Sequence, residues 1–343
     1  MSSDTMLASR RKRILEVEWL RRRILDLREL LVERLQGREH LQKRLPWHRL
    51  DHQALTLFAH DRFPTRQLEL ANIDLTSKLL AAARRWDVQR FVYVSTAFSA
   101  GYRNDSISEV LHPDPQPADE PTEYTRTKRM AEWRVAESGL PFLIVRPSIV
   151  IGDSRSGDYS GRNYGLYQMW RAWEALLAKD YSPVLYTVAP RVRLNFVHQD
   201  AFVAGFMGAL RGLPPDSIVH LVSRHATSPT MHELCWLWAD VYRPVEIRSY
   251  DSVDAVPLTS IPVRQRRFLE IVAKNLEIAS HAWRFDSDHL DGLRAGGLQF
   301  TDATLDSVAR CQRRYVAQSA TIQQHLGRTE QRARSRPAFL EFA

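Results

Sequence analysis

Tyr124-Thr125-Arg126-Thr127-Lys128 is the spacing in this chain with the most direct chemical use. On a helix, residues four apart share a face, so a phenol and an ammonium placed this way point into one cleft. A free phenol titrates near pH 10, and a neighbouring ammonium favours phenolate and brings proton transfer closer to neutral pH. The pair is a candidate for handling one proton at a carbonyl or hydroxyl group. The tetrad YxxxK alone also occurs on ordinary solvated helices, so its weight comes from its flanks. Upstream, the apolar run Phe91-Val92-Tyr93-Val94 ends in Ser95-Thr96. Downstream, Phe142 to Val145 runs into Arg146-Pro147-Ser148-Ile149-Val150-Ile151-Gly152. Folds of α/β type place ligands beyond the carboxyl ends of strands, so the three segments converge on one crevice.

The elements that must position these groups are legible as periodicity. Residues 73–86 predict a helix and 88–95 a short buried strand of a parallel sheet. Residues 124–138 predict a second helix, Gly139-Leu140-Pro141 a turn, and 142–146 a second buried strand. This alternation implies an α/β fold, a Rossmann-like doubly wound parallel sheet. Residues 102–121, rich in Asp, Ser and Pro, predict a surface loop over the site. Further helices are expected over 167–179, 201–211 and 230–241, and strands over 193–197 and 218–222. Before these, Ile14, Val17, Leu20, Ile24, Leu27, Leu31 and Leu35 recur every three or four residues, which predicts an amphipathic helix over 9–45 that Gly37 breaks. Residues 54–59 read as a possible strand.

Composition bounds the function classes. With 343 residues, 44% apolar and 26% charged, the chain has the make-up of a soluble globular protein with a sizeable core. Its longest apolar runs fall short of the roughly 20 residues that span a bilayer, so no transmembrane segment is expected. The N-terminus shows basic residues but no apolar signal core, which makes the cytoplasm the expected compartment. Cys235 and Cys311 make neither a disulfide framework nor a metal set, and His48, His52 and His60 lack a carboxylate cluster, so no metal site is expected. Of the net charge of +8, residues 1–50 supply a surplus of 6, from 13 Lys/Arg against 7 Asp/Glu. These basic residues lie among Leu, Ile and Glu at helical spacing, which suits a solvated helix face better than a nucleic-acid surface. No G-x-S-x-G elbow occurs, so His198 and Asp200 are read as stabilising a turn and not as a charge relay. Trp170, Trp173, Trp236 and Trp238 are expected to pack in the core, with a hydrophobic channel beside Trp170 and Trp173 as the alternative. Residues 328–336 read as a charged, frayed tail.

VYVSTAF, YTRTK and IVRPSIVIG, in this order, resemble the extended short-chain dehydrogenase/reductase family. Asn72-Ile73-Asp74-Leu75-Thr76 is similar to its N-x-x-G-T helix start, with Leu75 at the glycine position. The segments 193–200, 283–286 and 310–315 narrow the resemblance to the male-sterility, fatty acyl-CoA reductase and thioester reductase branch, and it covers residues 66–315 in all. It implies a partial NAD(P)-binding domain over 66–200 and a mixed substrate-binding and sheet-completing region over 201–325; the Arg/Leu-rich residues 1–65, which do not resemble the family, read as an atypical helical segment, and 326–343 as a tail. It further implies that Tyr124 is the general acid and that Lys128 lowers its pKa and holds the nicotinamide ribose. Thr96 stands where the family keeps a hydroxyl on the substrate oxygen, with Ser95 as the alternative. Ser95, Pro147, Ser148 and Ile149 would line the cofactor, NADP by preference with NAD open. The implied substrate is a small-molecule or carrier-bound carbonyl, including an acyl thioester.

One family feature is missing. The chain holds no G-x-x-G-x-x-G turn to bind a pyrophosphate at a helix N-terminus, and Gly37 is the only glycine before Gly101. Gly152, Gly157, Gly161 and Gly165 follow the second strand and read as a flexible substrate-side loop. Residues 1–65 are therefore a replacement, the product of an altered start or frame, or the mark of a relative that no longer binds dinucleotide. Three functional readings follow: a carbonyl reductase, a non-catalytic scaffold, or a relative of sugar-nucleotide epimerases or hydroxysteroid dehydrogenases. The sequence leaves oligomeric state open.

Overall fold

The computed structural model describes residues 65–335 apart from 87, 162–164, 178–183 and 243–245. The helix expected over 9–45 and the strand expected over 54–59 lie outside these residues. In chain order the elements that matter are α1 (Thr65–Glu69), a π-helical turn (Leu70–Asp74), α2 (Leu75–Arg85), β1 (Phe91–Val94), α3 (Glu123–Ala136), β2 (Phe142–Pro147) and β3 (Ile149–Ile151). They continue as α4 (Leu166–Leu177), β4 (Val184–Val188), β5 (Phe196–His198), α5 (Gln199–Gly212), β6 (Ser217–Leu221), α6 (Met231–Trp236), α7 (Ala239–Tyr242) and β7 (Glu246–Tyr250). The chain closes with α8 (Val263–Ser280), α9 (Asp288–Ala295), α10 (Leu305–Gln318) and α11 (Ala320–Ser335).

The expected parallel sheet is present, as three strands in the order β1-β2-β6. Phe91 pairs with Phe142 and Val94 with Val145, while Leu143 pairs with Ser217 and Pro147 with Leu221, all in parallel. Alternation of side chains across the strands explains why both faces are covered. Tyr93, Ile144 and Ile218 pack against Leu80 of α2 and against Ala131 and Val135 of α3. Leu143, Val145, Val219 and Leu221 face the other way, onto Ala209 of α5 and Leu290 of α9. That is the doubly wound arrangement. Two more parallel pairs, β3 with β5 and β4 with β7, stand apart from the sheet.

A second core lies C-terminal to the sheet, where Trp170 and Trp173 of α4 meet Trp238 with ring centroids 6.0 and 5.3 Å apart. Here the structure corrects the single helix expected over 230–241, which breaks into α6 and α7. Residues two apart on a helix lie about 200° apart around its axis, so Trp236 and Trp238 cannot both face one core. Trp238 is fully buried, whereas Trp236 is 55% exposed and donates its indole N–H to His232 at 2.7 Å. Core packing therefore holds for three of the four tryptophans. The frayed tail expected over 328–336 is also corrected, because α11 continues as helix through Ser335. The strand expected over 193–197 is displaced to β5, and Arg193 makes only an isolated bridge to Thr230.

The loop over 102–121 is less open than its composition suggests. Ile107 is buried and bridges to Phe285, His112 is buried, and Tyr102 N donates to Asp119 O at 2.7 Å. This segment is strapped across the carboxyl end of the sheet by Arg129 of α3, which reaches Asp114 at 3.0 Å, the carbonyl of Ser99 at 2.8 Å, and Glu120.

Candidate active site

Helix α3 starts where its sequence says it should. Thr122 caps it, its side chain and that of Thr125 each accepting the other residue's backbone N–H at 3.1 Å, and Glu123 sits in the first turn, where the helix dipole favours an acid. This cap sets the phase that puts Tyr124 and Lys128, four residues apart, on the inward face. Both are almost fully buried, at 3% and 4% exposure. The Lys128 ammonium donates to Val94 O at 3.0 Å and lies 4.9 Å from the Tyr93 ring centroid and 5.8 Å from that of Tyr124. The end of β1 and the start of α3 are thus joined at the lysine.

The other residues singled out from the sequence stand on the same edge of the sheet. Ser95 N donates to Val145 O at 2.8 Å, which continues the β1-β2 ladder one step beyond Val94. Thr96 is buried, and its hydroxyl accepts from Phe98 N at 3.4 Å as the cap of a short helical turn, Ala97–Ala100. Pro147 ends β2, Ser148 N donates to Leu221 O at 3.2 Å, and Ile149 opens β3. Ser95 Oγ and Ser148 Oγ are buried and have no hydrogen-bond partner among the described residues. Buried hydroxyls without partners are costly, and two at the carboxyl ends of neighbouring strands fit a place where a polar ligand completes the set.

Electrostatics differ from the simple expectation in one respect. Burial raises the Tyr124 phenol well above its usual range, so at neutral pH it is a neutral O–H donor and not a phenolate. Removing the phenolate from water outweighs the lysine nearby. Burial also pulls Lys128 down, to about 8, while the Glu132 carboxylate opposes that shift. The site at pH 7 is a neutral phenol beside an ammonium.

Sequence reasoning missed the layer beneath this pair. Glu132, fully buried, accepts from Arg146 Nε at 2.9 Å, from Arg146 Nη2 at 2.6 Å and from Ser99 Oγ at 3.0 Å. Arg146 is itself fully buried and also donates to Val110 O at 2.9 Å. Asn72, in the π-helical turn, donates to Thr127 Oγ1 at 2.9 Å and so ties that turn to the helix between Tyr124 and Lys128. Glu132 lies one further turn along the Tyr124-Lys128 face, a position that helical spacing identifies; Arg146 stood inside the quoted VRPS segment without a role. His198 and Asp200 hold a loop, as read from the sequence. His198 bonds Gly152 O at 2.6 Å and Ser307 Oγ at 2.8 Å, and Asp200 accepts from Ser154 N at 2.9 Å.

The donor set fits the nicotinamide-ribose end of a dinucleotide: an ammonium, a phenol and two hydroxyls without partners. Among the described residues, Gly152 and Gly157 do not add a pyrophosphate site to it, because close backbone contacts take both up. A Cβ on Gly152 would come within 2.5 Å of Gly157 O, and one on Gly157 within 2.6 Å of Arg310 O. Gly152 serves close packing within its own loop, and Gly157 close packing against the backbone of α10.

Comparison with known proteins agrees with the fold. Residues 57–203 match the family model of the male sterility proteins, an NAD-binding family. The terminal R domain from the myxalamid PKS-NRPS biosynthetic pathway is similar in structure, with a TM-score of 0.59 and 20% identity, over 74% of this chain and 64% of that one. A thiolation-reductase di-domain from an archaeal non-ribosomal peptide synthetase gives a TM-score of 0.50 and 15% identity, over 72% of this chain and 52% of that one. The chain therefore spans less than two thirds of the length of either protein. No curated protein matches it. At these identities the likeness to solved structures is one of fold. With a parallel sheet covered by helices on both faces, the chain has a Rossmann-like fold, and its residues 57–203 are similar to the male sterility family.

Proposed function

We propose that this chain is an NADPH-dependent reductase of a carbonyl group, with an acyl thioester carried by coenzyme A or a carrier protein as substrate. The observation that carries this reading is the buried neutral phenol of Tyr124 one helical turn from the buried ammonium of Lys128, at the carboxyl end of a parallel sheet. A bound nicotinamide cofactor supplies the hydride. Lys128 and Tyr124 hold the ribose, and Ser95, Pro147, Ser148 and Ile149 line the nicotinamide end. As the carbonyl carbon gains hydride, its oxygen takes the Tyr124 proton, and the Lys128 ammonium stabilises the tyrosinate left behind. Thr96, or Ser95 in its place, hydrogen-bonds the same oxygen. Residues 66–200 form the cofactor side of the site and 201–325 the substrate side.

The thioester preference is supported by likeness of fold to an R domain and to a thiolation-reductase di-domain. A second reading, a scaffold without dinucleotide binding, is favoured by the missing G-x-x-G-x-x-G turn. Calorimetry of NADPH and NADH on the purified chain separates them. Micromolar binding that weakens in Lys128→Ala supports the reductase and leads to a screen of acyl thioesters and aldehydes. No binding at millimolar cofactor sinks it in favour of the scaffold.

A further inference from the structure

We propose that Glu132 is a positioning residue for Lys128, its carboxylate being the buried counter-charge that keeps the ammonium at the site. This rests on the reductase reading above and names a residue that acts through the lysine without touching substrate or cofactor. The geometry is specific. Glu132 lies one helical turn beyond Lys128 on the same buried face, and both of its oxygens are engaged, one by Ser99 Oγ and Arg146 Nε and the other by Arg146 Nη2. Each partner stands on a different part of the site. Ser99 lies in the turn that Thr96 caps, and Arg146 is on β2 directly before Pro147, which Ser148 follows. One carboxylate therefore ties α3, the Thr96 turn and the end of β2 together beneath the Tyr124-Lys128 pair.

The same placement decides the charge of the lysine. Burial disfavours the ammonium, and Glu132 is the group that opposes it. Lys128 is also faced by the phenols of Tyr93 on β1 and of Tyr124 on its own helix, both held neutral by burial. Beyond Arg146 lie His220, 3.4 Å from its Nη1, and His112, which burial pushes down to about 3 and about 4. Both histidines are neutral across the range in which Lys128 titrates. The acid-base state of the lysine is thus set by burial on one side and the Arg146-anchored carboxylate on the other.

The test is a titration of the full chain labelled with [ε-13C]lysine. The sequence has six lysines, and the Lys128 signal is assigned by its loss in Lys128→Arg. The expected result is a Lys128 midpoint that falls by about one pH unit in Glu132→Gln and does not fall in Arg146→Met, which removes a positive charge while leaving the carboxylate. A generic loosening of the core would move both variants in one direction. An unchanged midpoint in folded Glu132→Gln, or equal shifts in both variants, would overturn the proposal. Where Glu132→Gln alone does not fold, the carboxylate is read by comparing Arg146→Met with the double variant Glu132→Gln/Arg146→Met, which leaves no buried charge unpaired and whose midpoint should lie about one pH unit below that of Arg146→Met. NADPH calorimetry on the same samples keeps the two readings apart. Absent binding in the wild type fails the reductase reading and leaves the Lys128 shift measurable, whereas an unchanged midpoint in a chain that binds NADPH fails the positioning role alone.

Discussion

Burial acts on Tyr124 and Lys128 in opposite senses for the proposed reduction: it keeps the phenol protonated but disfavours the ammonium, a shift that the Glu132 carboxylate opposes. Burial makes the phenolate costly, so the phenol keeps its proton at neutral pH, the proton that the proposed reduction hands to the developing alkoxide. Replacing Tyr124 with Phe removes that proton and one contact to the cofactor but leaves the ring, so turnover of the carbonyl substrate should fall by about 10²- to 10⁴-fold, far more than NADPH affinity, read by steady-state kinetics beside calorimetry. Lys128 adds a pH limit of definite sign. With its midpoint at about 8, the ammonium is present below that pH and lost above it. The rate of reduction at low substrate should therefore be level from pH 6 to about 7.5 and fall above about 8, the limb moving to lower pH in Glu132→Gln; a rate that rises through pH 9 would contradict the assigned role.

At the scale of elements, two contacts join parts of the chain that no local pattern relates. The Glu132–Arg146 pair bolts α3 to β2 with both side chains fully buried. A buried pair costs much to desolvate and more to halve, so Arg146→Met should lower stability by about 3–5 kcal/mol in urea unfolding, and the double variant Glu132→Gln/Arg146→Met should recover most of that loss. The second contact is backbone against backbone. Gly157 has φ +74° and no room for a Cβ, which would meet the carbonyl of Arg310 on α10. Gly157→Ala should cost roughly 1–3 kcal/mol for the left-handed backbone alone, with further loss as the loop after β3 is pushed off α10. Gly139, in the turn between α3 and β2, has a similar φ of +72° but open space around it, so Gly139→Ala should be the milder of the two in the same assay.

At the scale of the whole molecule, the separate cores respond to different stresses. His112 and His220 stand around Arg146 between the sheet and the 102–121 strap, and burial depresses both, to about 4 and about 3. A histidine with a depressed folded-state pKa takes up a proton more readily when unfolded, so the stability it allows is fully present above about 6.5 and is lost as pH falls toward 4 and 3. Urea midpoints should therefore drop steadily between pH 6.5 and about 4, and less steeply in His220→Asn. The C-terminal core rests on three tryptophans instead. Removing the fully buried indole of Trp238 should cost about 3–5 kcal/mol, whereas Trp236→Ala, on the surface, should cost little in the same urea series.

What the sequence determined by itself was whatever depends on near neighbours. The phase of α3, the two apolar strands that flank it, the Tyr124-Lys128 spacing and the switch between helical and strand periodicity all follow from contacts a few residues apart, and they led to the parallel sheet and the site edge. The tertiary structure decided the rest. The partnership of Glu132 with Arg146 spans a helix, a turn and a strand, so no spacing rule shows it. Which tryptophan is buried depends on the break after α6, where Trp238 packs against Trp170 and Trp173 of α4. That the buried hydroxyls of Ser95 and Ser148 have no partner among the described residues follows from how the carboxyl ends of the strands come together, not from their local sequence. The neutral state of Tyr124 reverses what its neighbour alone would suggest, because desolvation sums over every atom that excludes water, and those atoms come from across the fold.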